Sequence, residues 1–477
     1  MAATPPPHDI DPLRVLHERP HECASTTLTI SQRLGLVLAA IALAIGLLWA
    51  LIPTLVIINA FFIFFYILQS VYKFHLVWRS LGRRAEIQVS EAEMADITDD
   101  ELPTYTILVP LFREADVIGK LVDALTRLDY PTDKLTIQLL LEQDDVHTTR
   151  AADETLLPPH FRKIIVPESL PRTKPKACNW GLALADSDLL VIFDAEDVPE
   201  PDQLRKAACA FRKAPDNVAC LQAKLNYFNP RQNLLTKWFT AEYSVWFDLF
   251  LPGLTVSGAP IPLGGTSNHF KVHVLKRLGG WDPFNVTEDC DLGVRLHKHG
   301  YRTAMIDSTT WEEANSHFFG WIRQRSRWVK GYIQTYLVHM RRPIRLVRQL
   351  GISGWFSFQM TVGGSIVCFL LNPVYWLLTL LWVLTHAHLI QAVFPTPVYV
   401  AGVFCLLVGN FVFVYLNVAG CMNRGYYDLV KYAVITPLYW LMMSWAAYKA
   451  AGQLIVNPHY WEKTKHGLAK EDTEPAA

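Results

Sequence analysis

The run Asp188-Leu-Leu-Val-Ile-Phe193 passes directly into Asp194-Ala195-Glu196-Asp197. A short, fully apolar stretch ending at once in carboxylates reads as a strand buried on both faces, with acid groups beyond its carboxyl end. Tyr105-Thr-Ile-Leu-Val-Pro110 and Leu135-Thr-Ile-Gln-Leu-Leu-Leu141 have the same character. Helical stretches lie between these runs, one reaching Leu128 and one around Gln203–Phe211. The alternation predicts an α/β fold with a mostly parallel sheet covered on both sides. Ligands of such sheets bind beyond the carboxyl ends of the strands, so the polar residues there are the candidates. Glu114 follows the first run and Asp144-Asp145 the second; Lys174 and Lys176 precede a helix containing Asn179. Asp194, Glu196 and Asp197 follow the third, and hard carboxylate oxygens at that spacing suit Mg²⁺ or Mn²⁺. Each set alone reads equally well as a solvated turn or a helix cap; their succession at strand ends is the stronger signal.

Over all its 477 residues the chain is 51% hydrophobic and 18% charged, a composition unusual for a purely soluble protein of this size. Lys and Arg total 44, as do Asp and Glu, so no net field points to nucleic acid. The eight cysteines form no CxxC pair. Residues 1–33, polar and opening with Thr4-Pro5-Pro6-Pro7, read as a disordered cytosolic segment. Leu34 to Tyr72 holds no charged side chain, and residues 34–75 read as two membrane helices broken near Pro53. The basic exit Lys73, Arg79, Arg83 and Arg84 places residues 86–335 in the cytosol. An interfacial helix is expected over 336–353, then a bundle over 354–453. Its spans are expected at 354–372, 373–391, 396–421 and 431–453, divided first at Asn372-Pro373; three spans result if Trp355 to Leu371 lies on the membrane surface. Four put the tail, 454–477, in the cytosol.

Two further motifs stand about thirty-five residues apart, Thr287-Glu288-Asp289 and Gln324-Arg325-Ser326-Arg327-Trp328. Thr287 suits a helix N-cap with Glu288 and Asp289 in the first turn, and a carboxylate there is also the usual base for an acceptor hydroxyl. Arg327 can fork onto a phosphate, and Trp328 offers a flat apolar face to a sugar. The same helix also reads as a basic surface lying against anionic lipid. Pro262-Leu-Gly-Gly-Thr-Ser-Asn-His269 is either a glycine turn or a place where the backbone lets an acceptor approach closely.

In the order of these motifs the chain resembles the processive, inverting family-2 glycosyltransferases of membranes, which include cellulose, hyaluronan, chitin and mannan synthases. The resemblance covers about residues 100–335, the membrane layout and a tail motif. It implies a GT-A-type nucleotide-sugar fold embedded between transmembrane helices. It also implies a metal-dependent hexosyl transfer from a UDP- or GDP-linked donor to a β-linked glycan, coupled to export. Glu114, Asp144, Asp145, Lys176, Asp194 and Arg327 would meet the donor. Asp194 with Glu196 or Asp197 would hold the metal; the family's Asp-x-Asp has Glu in second place here. Asp289 would be the base beside Glu288, with Gly265, Thr266, Gln324 and Trp328 at the acceptor. Trp461-Glu-Lys-Thr464-Lys-His-Gly467 resembles a gating loop, assigning Trp461 and Thr464 to closure over the nucleotide. Tyr375, Trp376, Trp382 and Trp440 would line the glycan's path or face lipid. A non-processive transferase acting on a polyprenyl phosphate or glycolipid is the nearest alternative, disfavoured by Gln324–Trp328 and six spans. A transporter is further off, because it needs neither the strand-end carboxylates nor these motifs.

Overall fold

The structure, a computed structural model, describes residues 10–81, 85–460 and 462. Among the described residues nine strands form one sheet: β1 Glu86–Ile87, β2 Tyr105–Leu111, β3 Leu135–Glu142, β4 Phe161–Val166, β5 Leu189–Ile192, β6 Val198–Pro199, β7 Val218–Tyr227, β8 Asn268–Lys271 and β9 Arg302–Glu312. Their order is β1-β9-β7-β8-β5-β2-β3-β4, with β6 paired to β9. The expected runs are β2, β3 and β5, in parallel register with β2 between the other two. Only β8 and β6 run antiparallel to their neighbours. Alternate side chains feed two cores: Leu108, Leu140, Leu190 and Ile192 on one face, Ile107, Val109, Leu139 and Val191 on the other. All eight are at most 3% exposed, the two-sided burial that makes the runs continuously apolar. This is the expected GT-A-like, mostly parallel sheet.

The helices that matter below are α1 Ile30–Trp49, α2 Leu51–Leu81, α3 Lys174–Leu184, α4 Leu234–Val245, α5 Glu288–Lys298, α6 Phe318–His339, α7 Pro343–Thr385, α8 Thr396–Asn423 and α9 Thr436–Val456. Among the described residues, α1, α2, α7 and α8 are long and apolar enough to cross a membrane. The first break falls at Ala50, between α1 and α2, and Pro53 sits in the first turn of α2, where its missing N–H costs nothing. The division expected at Asn372-Pro373 does not occur, because α7 continues through Pro373 to Thr385. Apolar helices accommodate such a proline where neighbouring groups satisfy the freed backbone.

The last apolar run, expected as a span at 431–453, is α9, and it lies along α6. Tyr439 packs edge-on to Trp321 with ring centroids 5.0 Å apart, and Ala447 and Ala450 cover Val329. Gln334 donates to Pro458 O at 2.9 Å just beyond the far end. Both ends meet the sheet domain: Trp238 Nε1 donates to Tyr432 O at 3.0 Å, and His459 lies 3.2 Å from Phe284 O. The residues after α6 therefore supply two candidate crossings, α7 and α8, where the sequence reading expects four or three, and the chain beyond α9 returns to the sheet domain at His459.

The N-terminal segment also departs from expectation. From Ile10 onward it is docked on the domain, with Val15, Cys23 and Ala24 at most 1% exposed.

Candidate active site

Parallel strands bring their carboxyl ends to one edge, and a cavity of about 680 Å³ opens there. Glu114 beyond β2, Asp194 and Glu196 beyond β5, Gly265 before β8, Glu288 and Asp289 in the first turn of α5, and Gln324, Arg327 and Trp328 on α6 all line it. Residues from five separate parts of the chain thus converge on one space. Gly331 makes the last convergence possible: a Cβ there would stand 2.4 Å from Thr287 Oγ1 and 2.7 Å from its backbone N. Gly331→Ala should therefore push α6 off the start of α5. Overpacking of this kind costs about 1–3 kcal/mol, so a melting curve in detergent should shift several degrees downward. An unchanged midpoint would contradict the close packing.

Five expected site residues take other places. Lys176 is 0% exposed and pairs with Glu142 at 3.1 Å; Lys174, two positions earlier, enters the cavity and bonds Asp194 and Gly265 O. The step of two residues turns an α-helix by about 200°, so one lysine faces the core and the other the site. Asp197 is 1% exposed and turned inward, accepting from Asp194 N at 2.7 Å and from the Thr266 hydroxyl. Asp197 and Thr266 thus brace the loops that carry Asp194 and Gly265. Asp145 caps the helix Val146–Glu154 and holds Arg113 N, while Asp144 bonds Arg172 at 2.6 Å, so neither aspartate lines the cavity. Trp461 and Thr464 lie outside the described residues.

The site also contains residues that the motifs do not announce. Arg172, Glu242, Tyr243, Phe247, Glu312, Tyr332, His459 and Tyr460 line the same cavity. Arg325, which follows Gln324 in the motif, is buried, forks onto Glu242 and lies 4.6 Å above the Trp328 ring. Tyr439 of α9 donates to the same Glu242 at 2.7 Å. Trp328 packs against Phe239 and Tyr243 of α4, 6.0 and 6.3 Å away by ring centroid. The amide oxygen of Gln324 is buried without a protein partner among the described residues.

The electrostatics are those of a crowded acid site. Burial, then the neighbouring Asp289, pushes Glu288 up to about 7. Burial likewise pushes Asp289 up to about 6 against the bond it accepts from Cys290 N at 2.6 Å. Burial disfavours the Lys174 ammonium, yet Asp194 and Glu288 outweigh it and raise the group. Glu312 is held well above the usual carboxylate range by burial and by Asp197, Glu196 and Asp194. Burial lowers Arg327, against the attraction of Glu288, Asp194 and Glu196. Asp194 and Glu196 fit a divalent cation that draws its remaining ligands from a diphosphate, since this surplus of negative charge needs neutralising. A Cβ on Gly265 would lie 3.4 Å from Asp289 Oδ2, so the backbone at that loop faces the carboxylate directly.

Residues 103–331 match the family model described as "Glycosyltransferase like family 2". The chain is 27% identical over 267 residues to "Probable glycosyltransferase YdaM" of Bacillus subtilis, covering 55% of this chain and 63% of that protein. It is 27% identical over 241 residues to "Beta-monoglucosyldiacylglycerol synthase" of Synechocystis, covering 50% of each. A third relative, "Probable glucomannan 4-beta-mannosyltransferase 1" of Arabidopsis thaliana, is 26% identical over 247 residues, 50% of this chain and 44% of that one. The chain thus spans between 44% and 63% of the length of these relatives. Among solved structures, "Mannosyltransferase PcManGT from Pyrobaculum calidifontis in complex with GDP-Man and Mn2+" aligns with 82% of this chain and 98% of its own. Its identity is 19% and its TM-score 0.47.

Proposed function

We propose that the protein, whose residues 103–331 match the model described as "Glycosyltransferase like family 2", moves a hexosyl unit from a UDP- or GDP-linked sugar to a growing β-linked glycan. The observation that carries this is the single cavity shared by Asp194, Glu196, Asp289, Arg327 and Trp328. Asp289 takes the proton of the acceptor hydroxyl as that oxygen attacks the anomeric carbon. The bond to the donor's phosphate oxygen breaks on the opposite face, inverting the configuration, and the electron pair leaves with the nucleoside diphosphate. Arg327 and Lys174 stabilise that departing charge. Mg²⁺ or Mn²⁺, held by Asp194 and Glu196, would supply further neutralisation. Glu114 lies at the nucleoside end, and Gln324 and Trp328 hold the acceptor sugar.

Polymer formation and export find support in α7. Ser365 and Phe369 line the catalytic cavity, and Asn372, Tyr375, Trp376, Thr379 and Trp382 on the same helix line a second cavity of about 590 Å³. Aromatic faces and neutral polar groups suit an uncharged sugar chain. Trp440, packed edge-on against Phe413, is not part of this wall. An even number of crossings, two before the block and two after, keeps both chain ends on the cytosolic face of the cell membrane with the domain. The smaller number of spans favours a second reading, in which one sugar goes to a lipid acceptor whose chain enters the second cavity.

The test uses inverted membrane vesicles supplied separately with labelled UDP-glucose, UDP-N-acetylglucosamine and GDP-mannose, with Mg²⁺ or Mn²⁺. High-mass, glycosidase-sensitive label is the expected product. Label confined to the organic phase would replace this reading by the lipid transferase, and no transfer from any donor would contradict both. With the donor that works, the rate should be flat above about pH 7. It should fall about tenfold per unit below pH 6, as Asp289 becomes protonated. A rate independent of pH from 5 to 8 would contradict a carboxylate base with a raised pKa.

A further inference from the structure

The segment before α1 lies across Asn179 of α3, the carbonyls of Lys276 and Arg277, Asp282 and the C-terminal end of α5. Asn179 Nδ2 donates to Pro12 O at 2.8 Å, Arg14 to Lys276 O at 3.1 Å, and Arg19 to Arg277 O at 3.0 Å. Cys23 Sγ and Ala24 N both bond Asp282. Arg341, just beyond α6, donates to the carbonyls of Pro20, His21, Cys23 and Thr26 and holds the segment from its other edge.

Between this strap and the catalytic turn runs a chain of buried polar groups. Glu22 pairs with Lys298 at the end of α5, both at most 7% exposed. Lys298 Nζ is 3.3 Å from His339 Nδ1, and His339 Nε2 is 3.0 Å from Asp291 Oδ1. An ammonium can only donate, so Nδ1 is the acceptor and the ring's proton sits on Nε2, where it bonds Asp291. Asp291 also takes Arg295 Nε at 2.7 Å and is 0% exposed. It lies two residues after Asp289, about 200° around the helix, so Asp289 faces the cavity while Asp291 faces the strap. His339 closes α6, the helix of Gln324, Arg327 and Trp328, so the Asp291–His339 bond ties the turn carrying the base to the helix carrying the acceptor residues.

We propose that the strap is a positioning element. Glu22 keeps Lys298 directed at His339, His339 in its Nε2–H form fixes Asp291, and Asp291 sets the orientation of Asp289. The proposal rests on Asp289 being the base. With no strap, Lys298 loses its buried counter-charge and the imidazole is free to take either tautomer. A small misplacement of a catalytic group costs up to about a hundredfold in rate, even when its origin is remote.

The test uses the full chain in nanodiscs. Glu22→Ala breaks the relay at the strap, Glu22→Asp keeps the charge, and Arg341→Gln releases the strap without touching Asp291. Each is assayed for turnover with the active donor, for UDP and GDP affinity, and for deuterium uptake over residues 287–292. The proposal expects kcat to fall about tenfold or more in Glu22→Ala and Arg341→Gln. Nucleotide affinity should stay within about twofold, uptake over 287–292 should rise, and Glu22→Asp should recover most of the rate. Unchanged kcat with a released strap overturns it. Loss of nucleotide binding together with turnover and thermal stability also overturns it, because the strap is then only part of the fold. Asp289→Asn is run alongside: full transfer in that variant removes the base on which the strap would act, whatever Glu22→Ala does.

Discussion

Asp289→Asn should abolish sugar transfer while leaving donor binding intact. The asparagine keeps the size of the side chain and an oxygen for the Cys290 N–H, so the first turn of α5 retains its cap. What disappears is the ability to accept a proton at a group whose burial holds its pKa near neutrality, at about 6. Loss of a general base removes about 10²–10⁴ in rate. The nucleoside diphosphate contacts assigned to Arg327, Lys174 and Asp194 are untouched, so the affinity for UDP or GDP should stay within about twofold of the parent, since no contact to the diphosphate is lost. Full activity would transfer the role to another group, and Glu288, pushed up to about 7 in the same turn, would be the first to examine.

Trp328→Ala should separate elongation from donor hydrolysis. The indole, which we propose holds the acceptor, lines the cavity, packed against Phe239 and Tyr243 with the Arg325 guanidinium over its ring. Removing it takes away the face on which the terminal sugar rests, and the hydroxyl that attacks is then no longer held in line. Transfer should fall about 10–100-fold, with donor hydrolysis reduced no more than about threefold. Trp328→Phe, which keeps an aromatic face and fills much of the gap, should recover a large part of the transfer. An equal loss of both reactions would mean that the tryptophan supports the donor site or the packing of α6, and unchanged product output would remove it from the acceptor site.

The sheet was legible because β2, β3 and β5 are buried on both faces and each ends in polar residues, a pattern that survives without any tertiary information. The convergence of Thr287–Asp289 with Gln324–Trp328 was legible from motif order. Helix phase defeated the assignment at the lysines: Lys174 and Lys176 differ by two positions, and only the packing of α3 decides which one the core takes. Asp197 was misplaced for a related reason, since a run of acids does not reveal which member turns inward to brace Thr266. The run expected as a span at 431–453 forms α9, which packs along α6. Tyr439, Met443, Ala446, Ala447 and Ala450 form a buried stripe at helical spacing, and Leu438, Leu441, Trp445 and Tyr448 form an exposed apolar one. The overall apolar count treats the two alike, whereas the small residues on one stripe signal a close helix partner. The strap left no signal at all, because its attachments are mostly backbone carbonyls and one ion pair.

The most direct test of the central claim is a structure of the full chain in nanodiscs with Mn²⁺ and either UDP or GDP. The account predicts the diphosphate in the cavity between Asp194 and Arg327, the metal on Asp194 and Glu196, and the base of the nucleotide toward Glu114. A nucleotide bound elsewhere, or no binding at millimolar concentration with the cavity intact, would contradict it.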